Sequence, residues 1–138
     1  MVRIVISDPK KGKAYQIEPE KSQFEKLIGL KIGDQFEGEK IDLPGYKLEI
    51  KGGSDEEGFP MRKDVKGEGR TQPLLSGGTG YKPKRKGLRK RRTVRGHIVS
   101  KNIAQLNTII KKHGEKSLEE SLGLETEEIE ETEKTEEE

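Results

Sequence analysis

The residues with the clearest chemistry are nine cations within fourteen positions: Lys82, Lys84, Arg85, Lys86, Arg89, Lys90, Arg91, Arg92 and Arg95, with no carboxylate among them. Side chains of one sign at this density repel one another, so a folded domain holds them at lower cost when negative charge lies against them. Nucleic-acid phosphate is the commonest such partner. A solvated basic loop or a localisation tag is the plainer reading of a basic stretch taken alone. The apolar residues threaded through this one argue against it. Leu88, Val94 and Ile98 fall on one parity, and Arg89, Arg91, Thr93, Arg95 and His97 fall on the other. That alternation predicts a strand with one face on a core and the other presenting guanidinium groups. Pro83 and Gly87 interrupt any helix upstream, which argues against a basic-region leucine zipper, and no heptads follow.

Two further stretches could carry chemistry. In KGGSDEEGFPMRKD, residues 51–64, Asp55, Glu56 and Glu57 would suit a magnesium site or an acid and base pair. Three consecutive loop carboxylates are far more often a solvated turn, and that is the role expected of them. Gly52 and Gly53 permit backbone shapes that other residues resist, so with Phe59 and Arg62 they are expected to form a shape-specific contact loop. In GEGRTQPLLSGGTG, residues 67–80, the spacing matches neither nucleotide-binding glycine motif. These glycines instead suit a close backbone approach to a ribose-phosphate chain, with Arg70 and Thr79 as donors and Leu74 and Leu75 as tethers. With three Phe, three Tyr and no Trp, recognition is expected through backbone and shape rather than through an aromatic platform. Phe59 alone suits packing better than base stacking.

Composition narrows the classes. Ile, Leu, Val and Phe number 31 of 138 residues, just above the level of about 20% below which chains tend to be disordered, so the core is thin. The absence of Cys excludes disulfides and thiolate metal sites, and two separated His residues cannot build a zinc site. No run approaches the roughly 18 apolar residues of a membrane helix, and no signal-peptide pattern opens the chain, which predicts a soluble, intracellular protein. The net charge of +2 conceals a division: residues 60–112 hold 16 cations and 2 anions, whereas residues 113–138 hold 2 and 12. A basic middle beside an acidic end again points to nucleic acid. Nucleophile, base and cofactor motifs are missing, so neither catalysis, a cofactor nor a small-molecule substrate is expected. A protein-interaction adaptor whose acidic end mimics nucleic acid is the remaining alternative.

The elements that must position these residues read as mainly β. Residues 2–6 and 13–17 predict a hairpin across the turn Asp8-Pro9-Lys10-Lys11-Gly12. Pro19, Phe24, Leu27 and Ile28 predict a short helix ended by Gly29. Residues 32–36, 39–43 and 46–50 predict three more strands, spaced as in a sandwich or small barrel. For residues 100–112 the patterns compete; a helical turn over 101–104 and then a strand to Lys112 is expected. Ser117, with Glu120 three residues on, caps a brief helix. From Glu125 onward nine of fourteen residues are Glu, too little to offset ordering entropy. The fold expected is a small barrel-like domain of short antiparallel strands over residues 1–112, a short helix within 113–124 and an acidic disordered tail, 125–138.

Several of these blocks together resemble small-subunit ribosomal protein six of the archaeal and eukaryotic type, a family unrelated to the bacterial protein of the same number. GGSDEEGFPMR (residues 52–62) is the most specific, joined by LLSGGTGYKPKRKGLRKRRTVRGHIV (74–99), the pattern ending in GEK at Lys116, and the opening strand before Asp8-Pro9. The resemblance runs from about Met1 to Leu124. It implies a β-barrel-like, non-enzymatic component of the small ribosomal subunit, in the cytoplasm, bound to small-subunit ribosomal RNA and beside other ribosomal proteins. Eukaryotic members continue into a long basic helix with phosphorylated serines; the Glu-rich end here departs from that and is similar to the short archaeal form.

Overall fold

The computed structural model of the chain describes residues 2–122. Its centre is a sheet of five strands: β1 (Arg3–Asp8), β2 (Lys13–Ile17), β3 (Gln35–Glu37), β4 (Lys47–Asp55) and β9 (Ile103–Lys112), in the order β2-β1-β9-β4-β3. The hairpin of β1 and β2 forms as expected, pairing Ile4 with Ile17 and Ile6 with Tyr15. Asp8 closes its turn, accepting the Lys10 amide at 3.0 Å, and Gly12 supplies the positive φ of 68° that the turn requires. Period-two patterning then places Ile4, Ile6, Leu48, Ile50, Leu106 and Ile110 on one face, all buried.

The sheet departs from expectation in two ways. It is mixed, since β1 runs parallel to β9 (Ile4 opposite Leu106), and it is open, with β2 and β3 as its edges and no closed barrel. Parallel pairing joins strands far apart in sequence, so short-range turn signals could not reveal it. Residues 39–43 are likewise no strand but a 3-10 turn, Gly38–Ile41. Ile41 and Leu43 are both buried because Asp42 between them adopts a left-handed φ of 61°, which reproduces the strand alternation without extended backbone. Residues 101–102 make a plain turn rather than a helical one, with β9 following at once. The helix α1 (Lys21–Glu25) is shorter than its apolar pattern, though Phe24 and Leu27 are buried and Gly29 follows at φ 94°.

One apolar cluster fills the inner side of the sheet and runs from Ile4 to Leu118. The closing helix α2 (Leu118–Leu122) belongs to this core through Leu118, and Ser117 Oγ accepts the Glu120 amide at 3.2 Å as its cap. Tyr15 donates to Glu119 at 2.7 Å, which pushes the phenol up to about 12, and Tyr46 donates to the Lys116 carbonyl. The long segment from β4 to β9 contributes Met61 and Val99 to this core and otherwise forms an arm. In it β5 (Arg70–Thr71) pairs with β8 (Val94–Arg95), and β6 (Leu74–Leu75) pairs with β7 (Lys90–Arg91). A second, small cluster of Leu75, Tyr81 and Val94, with Val65 against it, holds the arm together. The expected acidic tail, residues 125–138, lies outside the described residues.

Candidate nucleic-acid interface

The basic arm is built by two short antiparallel pairings and a loop between them. Leu75 and Tyr81 are buried at its base, Tyr81 donates its hydroxyl to the Leu88 carbonyl at 3.3 Å, and Gly87 turns the chain at φ 82°. These contacts leave Lys82, Lys84, Arg85, Lys86, Arg89, Lys90, Arg91 and Arg92 exposed on one arm. Among the described residues none of the eight has a carboxylate within ion-pair distance. Arg91 is steadied by a bond to the Gln72 carbonyl at 3.2 Å, and Leu74, across the pairing from it, is 52% exposed.

Arg95, the ninth cation of the run, stands elsewhere. It is 5% exposed, and its guanidinium reaches the Asp55 carboxylate at 3.4 Å, the Glu68 carbonyl at 2.8 Å and Ser100 Oγ at 2.8 Å. The expectation of a strand presenting Arg91 and Arg95 side by side is therefore corrected. β7 and β8 are two-residue strands in different pairings, separated by Arg92 and Thr93, and parity does not carry across the break. Val94 is fully buried as the alternation requires, but Arg95 beside it is buried too.

Asp55 is the residue whose role the sequence concealed. Expected in a solvated turn, it is 2% exposed and organises the loop around it. Its Oδ1 accepts the Glu57 amide at 3.0 Å and the Phe59 amide at 2.9 Å; its Oδ2 meets Arg70 at 2.8 Å as well as Arg95. Burial alone would raise this carboxyl, but Arg70, the Phe59 amide, Arg95 and the Glu57 amide outweigh it and hold the group below its ordinary range. The one available signal was the spacing Asp-x-Glu-Gly-Phe, in which a side chain can cap amides two and four residues on.

The proposed contact loop divides in the same manner. Gly53 faces inward, where a methyl group would strike the Gln105 carbonyl oxygen, whereas a methyl on Gly52 would meet open space. Arg62 is largely internal: it donates to the Gly77 and Thr79 carbonyls at 3.0 and 2.7 Å and pairs with Asp64 at 2.6 Å, so it braces the glycine loop. Phe59 is half-buried under the guanidinium of Arg70, 5.0 Å from its ring centre. The fold thus brings together one exposed basic arm and, at its root, an ion-pair network centred on the buried Asp55 that carries Phe59 and Arg70.

The family model described as ribosomal protein S6e matches residues 2–123. A protein of Archaeoglobus fulgidus named small ribosomal subunit protein eS6 is 55% identical over 119 residues, covering 86% of this chain and 92% of that one. Proteins of the same name from Methanothermobacter thermautotrophicus and Methanocaldococcus jannaschii are 53% and 50% identical, covering 91% and 89% of this chain and 98% and 92% of theirs. With the match spanning sheet, arm and closing helix alike, this chain belongs to the ribosomal protein S6e family.

Proposed function

We propose that this protein is a structural constituent of the small ribosomal subunit and stabilises its ribosomal RNA through the arm carrying Lys82 to Arg92. The relatives' names supply the particle, and the protein, as a member of a family of structural ribosomal proteins, is no enzyme. The observation that carries the RNA-binding role is the set of eight exposed cations, none paired with a carboxylate among the described residues, on an arm with its own packed cluster. Cations with no carboxylate partner among the described residues attract phosphate over the whole arm, and they position the protein without reading sequence. Neighbouring ribosomal proteins in the assembled subunit, in the cytoplasm, complete the setting.

Titration with small-subunit ribosomal RNA over a series of salt concentrations tests this. If about seven cations meet phosphate, log K against log salt should slope near −5 to −6, at roughly 0.7 to 0.9 per contact. A slope near zero would remove the arm from the interface. Salt-sensitive binding to an acidic protein in place of RNA would favour the adaptor.

A further inference from the structure

Arg70 differs in kind from the eight cations of the arm. Its Nε lies 2.8 Å from Asp55 Oδ2 and its Nη1 lies 3.0 Å from Glu57 Oε2. With Arg95 on the same Asp55 oxygen, two guanidiniums face two carboxylates, so this patch is locally neutral inside the most basic part of the chain. A neutralised arginine is a weak phosphate ligand. The two ion pairs also fix the orientation of the guanidinium, whose central carbon lies over the Phe59 ring, 5.0 Å from its centre. The Arg70 side chain nevertheless remains 36% exposed. A planar, oriented, charge-balanced group backed by an aromatic ring and still open to solvent has the properties of a stacking surface, because unpaired RNA bases stack on guanidinium planes as they do on aromatic rings.

We propose that the open face of the Arg70 guanidinium, backed by Phe59 and aligned by Asp55 and Glu57, stacks against one unpaired base of the bound RNA. This deepens the RNA-binding reading and rests on it. β5 pairs with β8 at the root of the arm, so a base held there would belong to the same RNA whose phosphates meet Lys82 to Arg92. Phe59 supports the stack from beneath and does not itself touch the base. Arg70 therefore selects for an unstacked nucleotide, while the arm is indifferent to sequence.

The test uses the full chain, small-subunit ribosomal RNA, salt titrations and nucleotide-resolution chemical probing. Arg70→Lys keeps the charge and one ion pair but loses the plane; Arg70→Leu loses both. Both variants are expected to bind about tenfold or more weakly with the salt slope of wild type, because stacking releases no counterions. Arg91→Ala, by contrast, should reduce the slope by about 0.7 to 0.9. Probing should show one nucleotide that becomes reactive in Arg70→Lys while the protections along the rest of the site persist. Wild-type affinity in Arg70→Lys, together with a reduced slope in Arg70→Leu, would make Arg70 an ordinary phosphate contact and overturn the proposal. Loss of protection across the whole site, with a lowered melting temperature, would make it a purely structural brace and overturn it equally. Wild-type protein that binds without salt dependence would sink the function proposed above; normal wild-type binding with no Arg70 signature would sink this inference alone.

Discussion

Arg91 and Arg95 lie four positions apart in one basic run, yet the structure gives them opposite duties. Arg91 is exposed beside Leu74, and Arg91→Glu should melt like wild type while losing affinity for ribosomal RNA through repulsion of phosphate. Arg95→Glu would set a second carboxylate against Asp55 in a buried site, and a loss of stability of about 3–5 kcal/mol is expected. Val94→Asp, in the small cluster with Leu75 and Tyr81, should destabilise similarly by burying an unpaired carboxylate. Circular dichroism melts beside an RNA titration separate the three. Arg95→Glu melting at the wild-type temperature would show that the guanidinium is not internal. Asp55 gives the pH dependence its sign. Its carboxyl is depressed below the ordinary value of 3.8, so its stabilising contribution is complete above that pH and is lost as pH falls through the lower, folded value. The wild-type melting temperature should therefore drop steeply below about pH 4, and Asp55→Asn, already less stable at pH 7, should lose less on acidification.

At the scale of elements, β4 decides how the contact loop meets the sheet. Its register against β9 shifts between Ile50 and Gly52, which turns Gly52 to the open face opposite Asn107 and Gly53 to the core side opposite Leu106. Gly53→Ala is expected to cost roughly 1–3 kcal/mol, because the obstacle is the backbone oxygen of Gln105 and cannot swing aside. Gly52→Ala should melt within about 0.5 kcal/mol of wild type. Any RNA affinity lost by Gly52→Ala then reports a close approach at that face, and equal melting of the two variants would contradict the register. The same economy of short elements shapes the arm, where four two-residue strands suffice because Leu75, Tyr81 and Val94 supply a local core.

The whole molecule separates its charges along the chain. The described sheet and closing helix share one core, with β1 and β9 side by side, and the basic arm projects from it with its own cluster. Residues 125–138 carry nine Glu and one Lys, a charge of −8. Like any polyanion joined to a basic surface, they are expected to compete with RNA at low salt. Deleting them is expected to leave the melting temperature unchanged, given a composition with almost nothing to bury, and to strengthen binding to a non-cognate RNA below physiological salt. A melting temperature lowered by many degrees would show instead that these residues are structural.

Periodicity and turn chemistry act over a few residues, and what they govern was legible in the sequence. The hairpin of β1 and β2, α1 with Phe24 and Leu27 buried, the Ser117 cap, the buried Val94 and the charge of the arm all follow from neighbouring side chains and backbone preference. The linked blocks around Gly52 to Arg62 and Leu74 to Val99 also identified the family, because many positions had to agree at once. Tertiary structure alone decided the parallel pairing of β1 with β9, the open sheet and the inward turn of Arg95 and Arg62. A guanidinium beside eight other cations looks like one more exposed charge until a carboxylate forty residues earlier is folded against it. Asp55 does this for Arg95, since a buried charge is tolerated only where its partner and hydrogen bonds are already in place.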